Sequence, residues 1–430
     1  FKNIYHHKKI KYLTKRTNIT FYETKAYTCF MQIIFIVNIF HANMKYWKFL
    51  GVYPLEIKWK FYNWYSKIFV FLFIILYDGL NTVNFYFMAR NLDHFIEEMI
   101  FYFTELAVMS KVLSFMIMKV KITEILKILD SEMFQSINEK EAVFIQNAMK
   151  FNVKYWKIVA VVSYFSNFIH VSSPLIAHLL LPVPLVLPVC SYSFLSENFT
   201  DTFIYPLYFY QSIGIHINML YNVNIDTFFL GLMIFVIAQL EILEQKLMTL
   251  TNKGISLSSN IDDRNGRSAI NELYYIEDLN KSIIHFDEVA KFCALIENVF
   301  SVTLFVQFSM ASCIICVCLF RFTLPAPVQY YMFLATYMFV MIIQIMVPCW
   351  FGTRIITKSR LLSEAIYICD WTPRSRRFKS SIRVFVERAN RPLSITGWKM
   401  FPLSLSTFTS IMNSAYSFFT LLRYMQTRES

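Results

Sequence analysis

The sequence predicts an all-α integral membrane protein with seven transmembrane helices. Of its 430 residues, 56% are hydrophobic and only 16% are charged, a balance that is unusual for a soluble domain. The apolar residues are concentrated in seven runs, each near the roughly 20 residues that a helix needs to cross a bilayer. Basic residues lie mainly between these runs, in alternate connections. Both patterns are typical of a multi-pass membrane protein.

The segment before the first run differs from the rest of the chain. It mixes basic clusters with an apolar stretch at 29–40, which is too short to span a bilayer comfortably. The chain begins at Phe1, and Met44 is a suitable natural start. We therefore expect 1–43 to be a non-native or disordered upstream segment and 44–430 to form the membrane domain.

The seven runs define the predicted helices in chain order. Each is apolar over about the thickness of the hydrocarbon core. The periodic apolar residues Ile122, Ile125, Leu126 and Leu129 lie between the second and third runs, so helices are also expected to continue beyond the membrane. The predicted spans are 67–89, 99–118, 158–181, 207–237, 294–319, 331–350 and 400–422.

The basic residues also predict the orientation of the chain. Lysine and arginine clusters precede the first run and follow the second, fourth and sixth runs, whereas the other connections are nearly free of them. Because positive residues accumulate on the cytoplasmic side, the amino terminus is expected inside and the carboxyl terminus outside. Asn198-Phe199-Thr200 is a glycosylation sequon in a connection assigned to the outside, and Asn198 is therefore a candidate glycosylation site. This orientation is opposite to that of a G-protein-coupled receptor.

Several functional classes are disfavoured by composition and motifs. The net charge of +12 comes from residues that flank apolar runs, so it indicates topology rather than nucleic-acid binding. The chain has eight cysteines, but most lie in or beside apolar runs, and neither disulfides nor a metal site is expected. It lacks a His-Glu-x-x-His motif and a phosphate-binding glycine loop, so we expect neither an enzyme nor a cofactor. A transporter remains a weaker alternative, because the chain has charged residues within its runs but no internal repeat.

The seventh run carries a stripe of polar side chains. Its members recur at steps of three and four residues, which places them on one face of a helix. Such a face either lines a pore or packs against neighbouring helices, and the spacing alone favours packing. The stripe consists of Ser406, Ser410, Asn413, Ser417, Thr420 and Tyr424.

Four stretches of the chain resemble the insect odorant receptor family. They are 47–54 near the start, 210–215 entering the fourth run, 239–247 leaving it, and 402–423 at the end. The sequence of the closing segment differs from the pattern that usually ends the related gustatory receptors. The connection from Ala238 to Lys291, which follows the fourth run, is shorter than the corresponding loop of the olfactory co-receptor. The chain thus resembles a ligand-tuning subunit, with a gustatory-type chemoreceptor channel as the alternative.

This resemblance implies a heterotetrameric, non-selective cation channel formed with the olfactory co-receptor. It would lie in the plasma membrane of olfactory neuron dendrites, bind volatile apolar odorants and open without a G protein. The seventh helix lines the channel in this family, so the resemblance turns its polar stripe into a candidate pore face. The implied pore residues are Ser410, Asn413, Ser417 and Thr420, with Leu421 and Met425 as a hydrophobic constriction.

The resemblance also implies an apolar ligand cavity among the second, third, fourth and sixth helices. His170 is the most specific candidate for a ligand contact, because an imidazole can hydrogen-bond to an alcohol or carbonyl oxygen. The favoured interpretation is nevertheless that His170 hydrogen-bonds to a neighbouring helix. Glu105, Lys111 and Asp226 are expected either to pair with one another or to face water. The candidate ligand residues are Phe101, Phe103, Thr104, Phe168, Ile169, His170, Ser173, Tyr210, Gly214, Asn218, Tyr331 and Phe333.

Overall fold

The computed structural model describes residues 40–55, 57, 59–87, 92–135, 138–251, 264–325 and 328–429. Helices form nearly all of its regular structure, with one small hairpin of two-residue strands, β1 and β2, before the last helix. The helices are α1 (His41–Phe49), α2 (Tyr62–Phe87), α3 (Leu92–Ile117), α4 (Lys119–Leu129), α5 (Glu139–Leu180), α6 (Glu197–Thr202), α7 (Ile204–Met248), α8 (Arg264–Arg321), α9 (Val328–Ile368), α10 (Arg376–Ala389) and α11 (Leu405–Glu429); β1 is Thr396–Gly397 and β2 is Phe401–Pro402.

Each of the seven predicted runs corresponds to one helix. Among the described residues, six helices are long and apolar enough to cross a membrane: α2, α3, α5, α7, α8 and α9. The seventh run corresponds to α11, whose many hydroxyl and amide side chains lower its hydrophobicity. Its helix begins at Leu405 rather than near residue 400, because the preceding residues form the β-hairpin.

Four helices continue well beyond the predicted spans. α5, α7, α8 and α9 contain 42, 45, 58 and 41 residues. Ion pairs join their extensions, such as Lys358 Nζ to Glu244 Oε2 at 3.0 Å. The expected continuation of the helices past the spans is therefore observed.

The central helix of the fold is α7. It contacts α1, α3, α5, α8 and α9, and it is apolar on nearly every side, as a buried helix requires. α1 packs on it through Phe40, which precedes the helix, and Trp47, whose rings lie 4.8 Å and 4.7 Å from that of Phe228. The expected boundary before Met44 falls within α1, and residues 1–39 lie outside the described part of the chain.

The last helix, α11, is attached along one side only. Ala415 is fully buried against the rest of the fold, and Phe408, Ile411 and Met412 pack beside it. Gly352 on α9 allows the close approach of the segment that leads into α11, because a Cβ at this position would lie 2.2 Å from the carbonyl oxygen of Leu403. The remaining faces of α11 are exposed.

The seven cysteines within the described residues are all free. Cys190 is buried, and its thiol donates a hydrogen bond to Asn81 Oδ1 at 3.1 Å. This contact ties the connection between α5 and α6 to α2.

Candidate functional site

A cavity of about 220 Å³ lies among α3, α5, α7 and α9. Its wall is mostly apolar, with at least one polar side chain on each helix, which is typical of a site for a small organic molecule. The lining residues are Phe101, Thr104, Glu105 and Val108 on α3; Val162, Ser163, Ser166, Asn167 and His170 on α5; Ile215, Asn218, Met219 and Asn222 on α7; and Phe333, Tyr337, Val340 and Met341 on α9.

An aromatic cluster closes one end of the cavity. The ring of His170 lies 5.1 Å from that of Phe101 and 6.3 Å from that of Phe333. His170 Nε2 is 2.9 Å from the carbonyl oxygen of Pro188, in the connection that follows α5. A carbonyl can only accept, so Nε2 carries the hydrogen and Nδ1 keeps its lone pair when the ring is neutral. The histidine is therefore satisfied by protein while its ring faces the cavity.

Two helices are joined across the middle of the cavity wall. Thr104 donates to the carbonyl oxygen of Ile100 at 3.0 Å, and its hydroxyl also hydrogen-bonds with that of Tyr337. The threonine hydrogen is already donated to Ile100, so Tyr337 is the donor in the second bond. This contact fixes α3 against α9 beside the cavity.

A charged network lies beneath the other end of the cavity. Lys111 Nζ is 2.6 Å from Asp226 Oδ1 and 2.6 Å from Asn222 Oδ1. Gln344 Nε2 donates to Asp226 Oδ2 at 2.9 Å, so the network connects α3, α7 and α9. Lys111 and Asp226 therefore pair, whereas Glu105 accepts a hydrogen bond from Asn81 of α2 at 2.5 Å.

Of the twelve candidate ligand residues, five line this cavity and seven lie elsewhere. Thr104, His170, Asn218, Phe101 and Phe333 contribute to the wall. Phe168 and Ile169 are 67% and 50% exposed on another face of α5. Ser173 is exposed on α5, and Phe103 packs against the core. Tyr210 donates to the carbonyl oxygen of Leu72, and Tyr331 donates to that of Leu324. Gly214 lies against Tyr77.

The rotation of each helix about its own axis decides which of its residues face the cavity. It explains why seven candidates lie outside the wall and why other residues line it that the sequence analysis did not name. A cavity-facing stripe on α5 runs back from His170 at steps of three and four residues, and a second stripe on α7 runs on both sides of Asn218. This spacing is a signal that the sequence contains, once one residue of each helix is known to face the cavity. The lining residues not anticipated include Ser163, Ser166, Asn167, Ile215, Met219, Asn222 and Tyr337.

The six candidate pore residues all lie exposed on α11, away from buried Ala415. Ser417 Oγ donates to the carbonyl oxygen of Asn413 at 2.9 Å, and Thr420 Oγ1 donates to that of Ser417 at 2.7 Å. The hydroxyl groups of Ser417 and Thr420 are therefore satisfied within the helix. The candidate glycosylation residue Asn198 is also exposed, on α6.

Comparisons with known proteins identify the family. A family model described as "7tm Odorant receptor" matches residues 91–416. Odorant receptor 46a, isoform A, of Drosophila melanogaster is 23% identical over 397 residues, which cover 90% of this chain and 98% of the relative. Odorant receptor 10 of Aedes albopictus is 26% identical over 197 residues, which cover 46% of this chain and 49% of the relative. The chain spans about a third to a half of the length of the first relatives it matches.

The fold matches that of a solved structure. The insect olfactory receptor OR5 from Machilis hrabei, solved in complex with eugenol, has a TM-score of 0.76 and 15% sequence identity, with coverage of 91% of this chain and 99% of that one. The predicted all-α membrane fold is thus confirmed, as is the resemblance seen in the sequence. The family match covers more than half of the chain, and the protein therefore belongs to the seven-transmembrane odorant receptor family.

Proposed function

We propose that this protein is the ligand-binding subunit of an odorant-gated, non-selective cation channel. The observation that carries this proposal is the cavity of about 220 Å³ among α3, α5, α7 and α9, in a chain that belongs to the odorant receptor family. Its apolar wall suits a small volatile molecule, and its few polar groups suit the recognition of one functional group. The protein acts in the plasma membrane as part of a heterotetramer with the olfactory co-receptor.

The exposed face of α11 supports a pore at the centre of such an assembly. Ser410, Asn413, Ser417 and Thr420 are exposed in the single chain, and an exposed amide such as that of Asn413 favours water or another subunit beside it over lipid. Leu421 and Met425 are 52% exposed on this helix, one and two turns beyond Ser417. In the proposed channel, Ser410, Asn413, Ser417 and Thr420 line the conduction path, while Leu421 and Met425 form the constriction that closes it by dewetting.

Whole-cell recording tests the proposal directly. The chain is expressed in a heterologous cell with and without an insect olfactory co-receptor, while a broad panel of volatiles is applied. We expect a cation current that requires both subunits for at least one volatile. Met219→Trp, which fills the cavity, should abolish the response at equal surface expression, whereas Phe165→Trp, at a position 66% exposed on α5, should retain it.

Two results would contradict the proposal. A complete lack of evoked current, with both proteins at the cell surface, would argue against an odorant-gated channel and favour soluble tastants or a transport assay as the next step. An equal loss of response in Met219→Trp and Phe165→Trp would show that the cavity is not where the odorant binds.

A further inference from the structure

One stripe of α7 remains accessible within an otherwise buried segment of the helix. From Ile217 to Leu240, every residue is buried except Met219, Asn222 and Asp226, which are half-buried. Their spacing of three and four residues places them on one face. Met219 and Asn222 line the cavity, and Asp226 lies one turn further along the helix. The accessible part of Asn222 therefore faces the cavity.

The orientation of the Asn222 amide is determined by its neighbour. Lys111 is only 2% exposed, and its Nζ lies 2.6 Å from one oxygen atom of Asn222 and 2.6 Å from one of Asp226. An ammonium group has donors and no acceptor, so the amide oxygen, not the nitrogen, must face Lys111. The NH₂ group is left on the other side, and among the described residues no hydrogen bond from it is formed.

The same contact makes this NH₂ group a stronger donor. The ammonium polarises the amide through its oxygen, and hydrogen bonds in a low-dielectric site strengthen one another in this way. A hydrocarbon at this end of the cavity would displace water from the donor and leave it without a partner, which is unfavourable. A ligand oxygen would satisfy it.

We propose that Asn222 is the residue by which this cavity selects ligands that carry a hydrogen-bond acceptor, above all the carbonyl oxygen of a ketone, an aldehyde or an ester. The apolar remainder of the ligand lies between Met219, Val340 and Met341 and extends toward the aromatic end at His170. This assignment rests on the proposed function, because it concerns the ligand that opens the channel.

Matched triplets of volatiles test the assignment, each a ketone, an alcohol and a hydrocarbon on one carbon skeleton. Suitable sets are cyclohexanone, cyclohexanol and cyclohexane; menthone, menthol and menthane; and camphor, borneol and bornane. We record concentration–response curves for the wild type with co-receptor, after the broad panel has shown that the channel responds. The ketone and the alcohol should activate at lower concentration than the hydrocarbon of the same set.

Two substitutions of Asn222 separate the effect of its NH₂ donor from the effect of its size. In Asn222→Leu, the ketone should lose about two- to tenfold in potency, the value of one hydrogen bond, while the hydrocarbon should lose none. In Asn222→Asp, Lys111 keeps an oxygen partner but the NH₂ donors are gone, so the alcohol should become more potent than the ketone. Met219→Leu, on the same stripe without a polar group, should shift all three members of a set equally.

The failure of this assignment is separate from the failure of the proposed function. The proposed function is contradicted if the wild type reaches the surface with its co-receptor and no volatile evokes a current. A wild type that answers other volatiles but none of the ketones overturns the role of Asn222, as does an Asn222→Leu channel that keeps the full preference for ketone over hydrocarbon. If Asn222→Leu fails to reach the surface, Asn222→Asp tests the assignment instead: a preference for alcohol over ketone supports the role of Asn222, and an unchanged preference for ketone overturns it.

Discussion

His170 and Asn222 present opposite hydrogen-bonding groups to the two ends of one cavity. His170 donates from Nε2 to the Pro188 carbonyl, which leaves Nδ1 as an acceptor, whereas Lys111 turns the oxygen of Asn222 away from the cavity. Each residue is thus fixed by a protein partner of known polarity. The histidine also packs against both Phe101 and Phe333, so its ring has a structural role in addition to its polar one.

The substitution His170→Phe should weaken the response to all ligands by a similar factor of a few fold. The phenyl ring keeps the aromatic cluster, but the hydrogen bond to Pro188, worth about 0.5–1.5 kcal/mol, is lost and the connection after α5 is less well held. Concentration–response curves for ketone, alcohol and hydrocarbon check this expectation. A selective loss for alcohols would instead assign a direct ligand contact to Nδ1.

At the scale of the helices, an ion pair between a buried lysine and a half-buried aspartate joins three of them below the cavity. Lys111 of α3 is bound by Asp226 of α7, which also accepts a hydrogen bond from Gln344 of α9. A pair of this kind adds little net stability compared with apolar residues, but the loss of one partner leaves an uncompensated charge. The three helices are therefore held in a defined arrangement that depends on both residues.

Asp226→Asn should destabilise the protein by about 3–5 kcal/mol, because Lys111 stays buried without a carboxylate. Thermal unfolding of the detergent-solubilised receptor, followed by size-exclusion fluorescence, measures the change. The double variant Lys111→Met/Asp226→Leu should recover most of the loss. Arg354→Gln, which breaks the partly exposed pair with Glu241, is the control, with an expected cost below about 1 kcal/mol. Equal melting of Asp226→Asn and wild type would contradict the argument.

The attachment of α11 to α9 depends on the absence of a side chain at Gly352. Gly352→Ala would place a methyl group 2.2 Å from the carbonyl oxygen of Leu403, and relief of this overlap must shift the backbone that leads into α11. We expect a cost of about 1–3 kcal/mol together with a reduced current per surface receptor. Gly79→Ala is the matched control, because nothing lies within 4 Å of its Cβ position. An unchanged current in Gly352→Ala would show that α11 tolerates this shift.

At the scale of the whole molecule, the protein combines a compact core with surfaces that a single chain leaves uncovered. α7 is enclosed from Ile217 to Leu240, whereas α11 is held on one side and exposes large apolar residues such as Tyr416 and Phe418, at 60% and 61%. Lipid can cover apolar residues, but it cannot satisfy an exposed amide such as that of Asn413 on the same helix. This contrast between the two helices agrees with an assembly in which copies of α11 meet around water.

The orientation deduced from the basic residues has a direct test. In intact cells, a tag at the amino terminus should stay inaccessible to antibody and one at the carboxyl terminus should be stained, because positive connections remain on the cytoplasmic side. Asn198→Gln should also remove a glycan mass shift if α6 lies outside. Staining of the amino-terminal tag without permeabilisation would reverse the orientation.

The sequence by itself determined the fold class, the order of the seven helices that correspond to its apolar runs, and the family resemblance, because bilayer-length apolar runs and short motifs are local properties of the chain. It also named Thr104, His170 and Asn218, which line the cavity, as candidate ligand residues. Only the tertiary structure decided which face of each helix looks inward. Phe168 and Ile169 adjoin residues of the cavity-facing stripe on α5 yet lie on another face of the helix, and Asn222 became a candidate only when Lys111 was seen to hold its oxygen. A membrane helix is apolar on most sides, so its hydrophobicity pattern does not indicate which face points toward the cavity. That rotation is set by packing against helices that are distant in sequence.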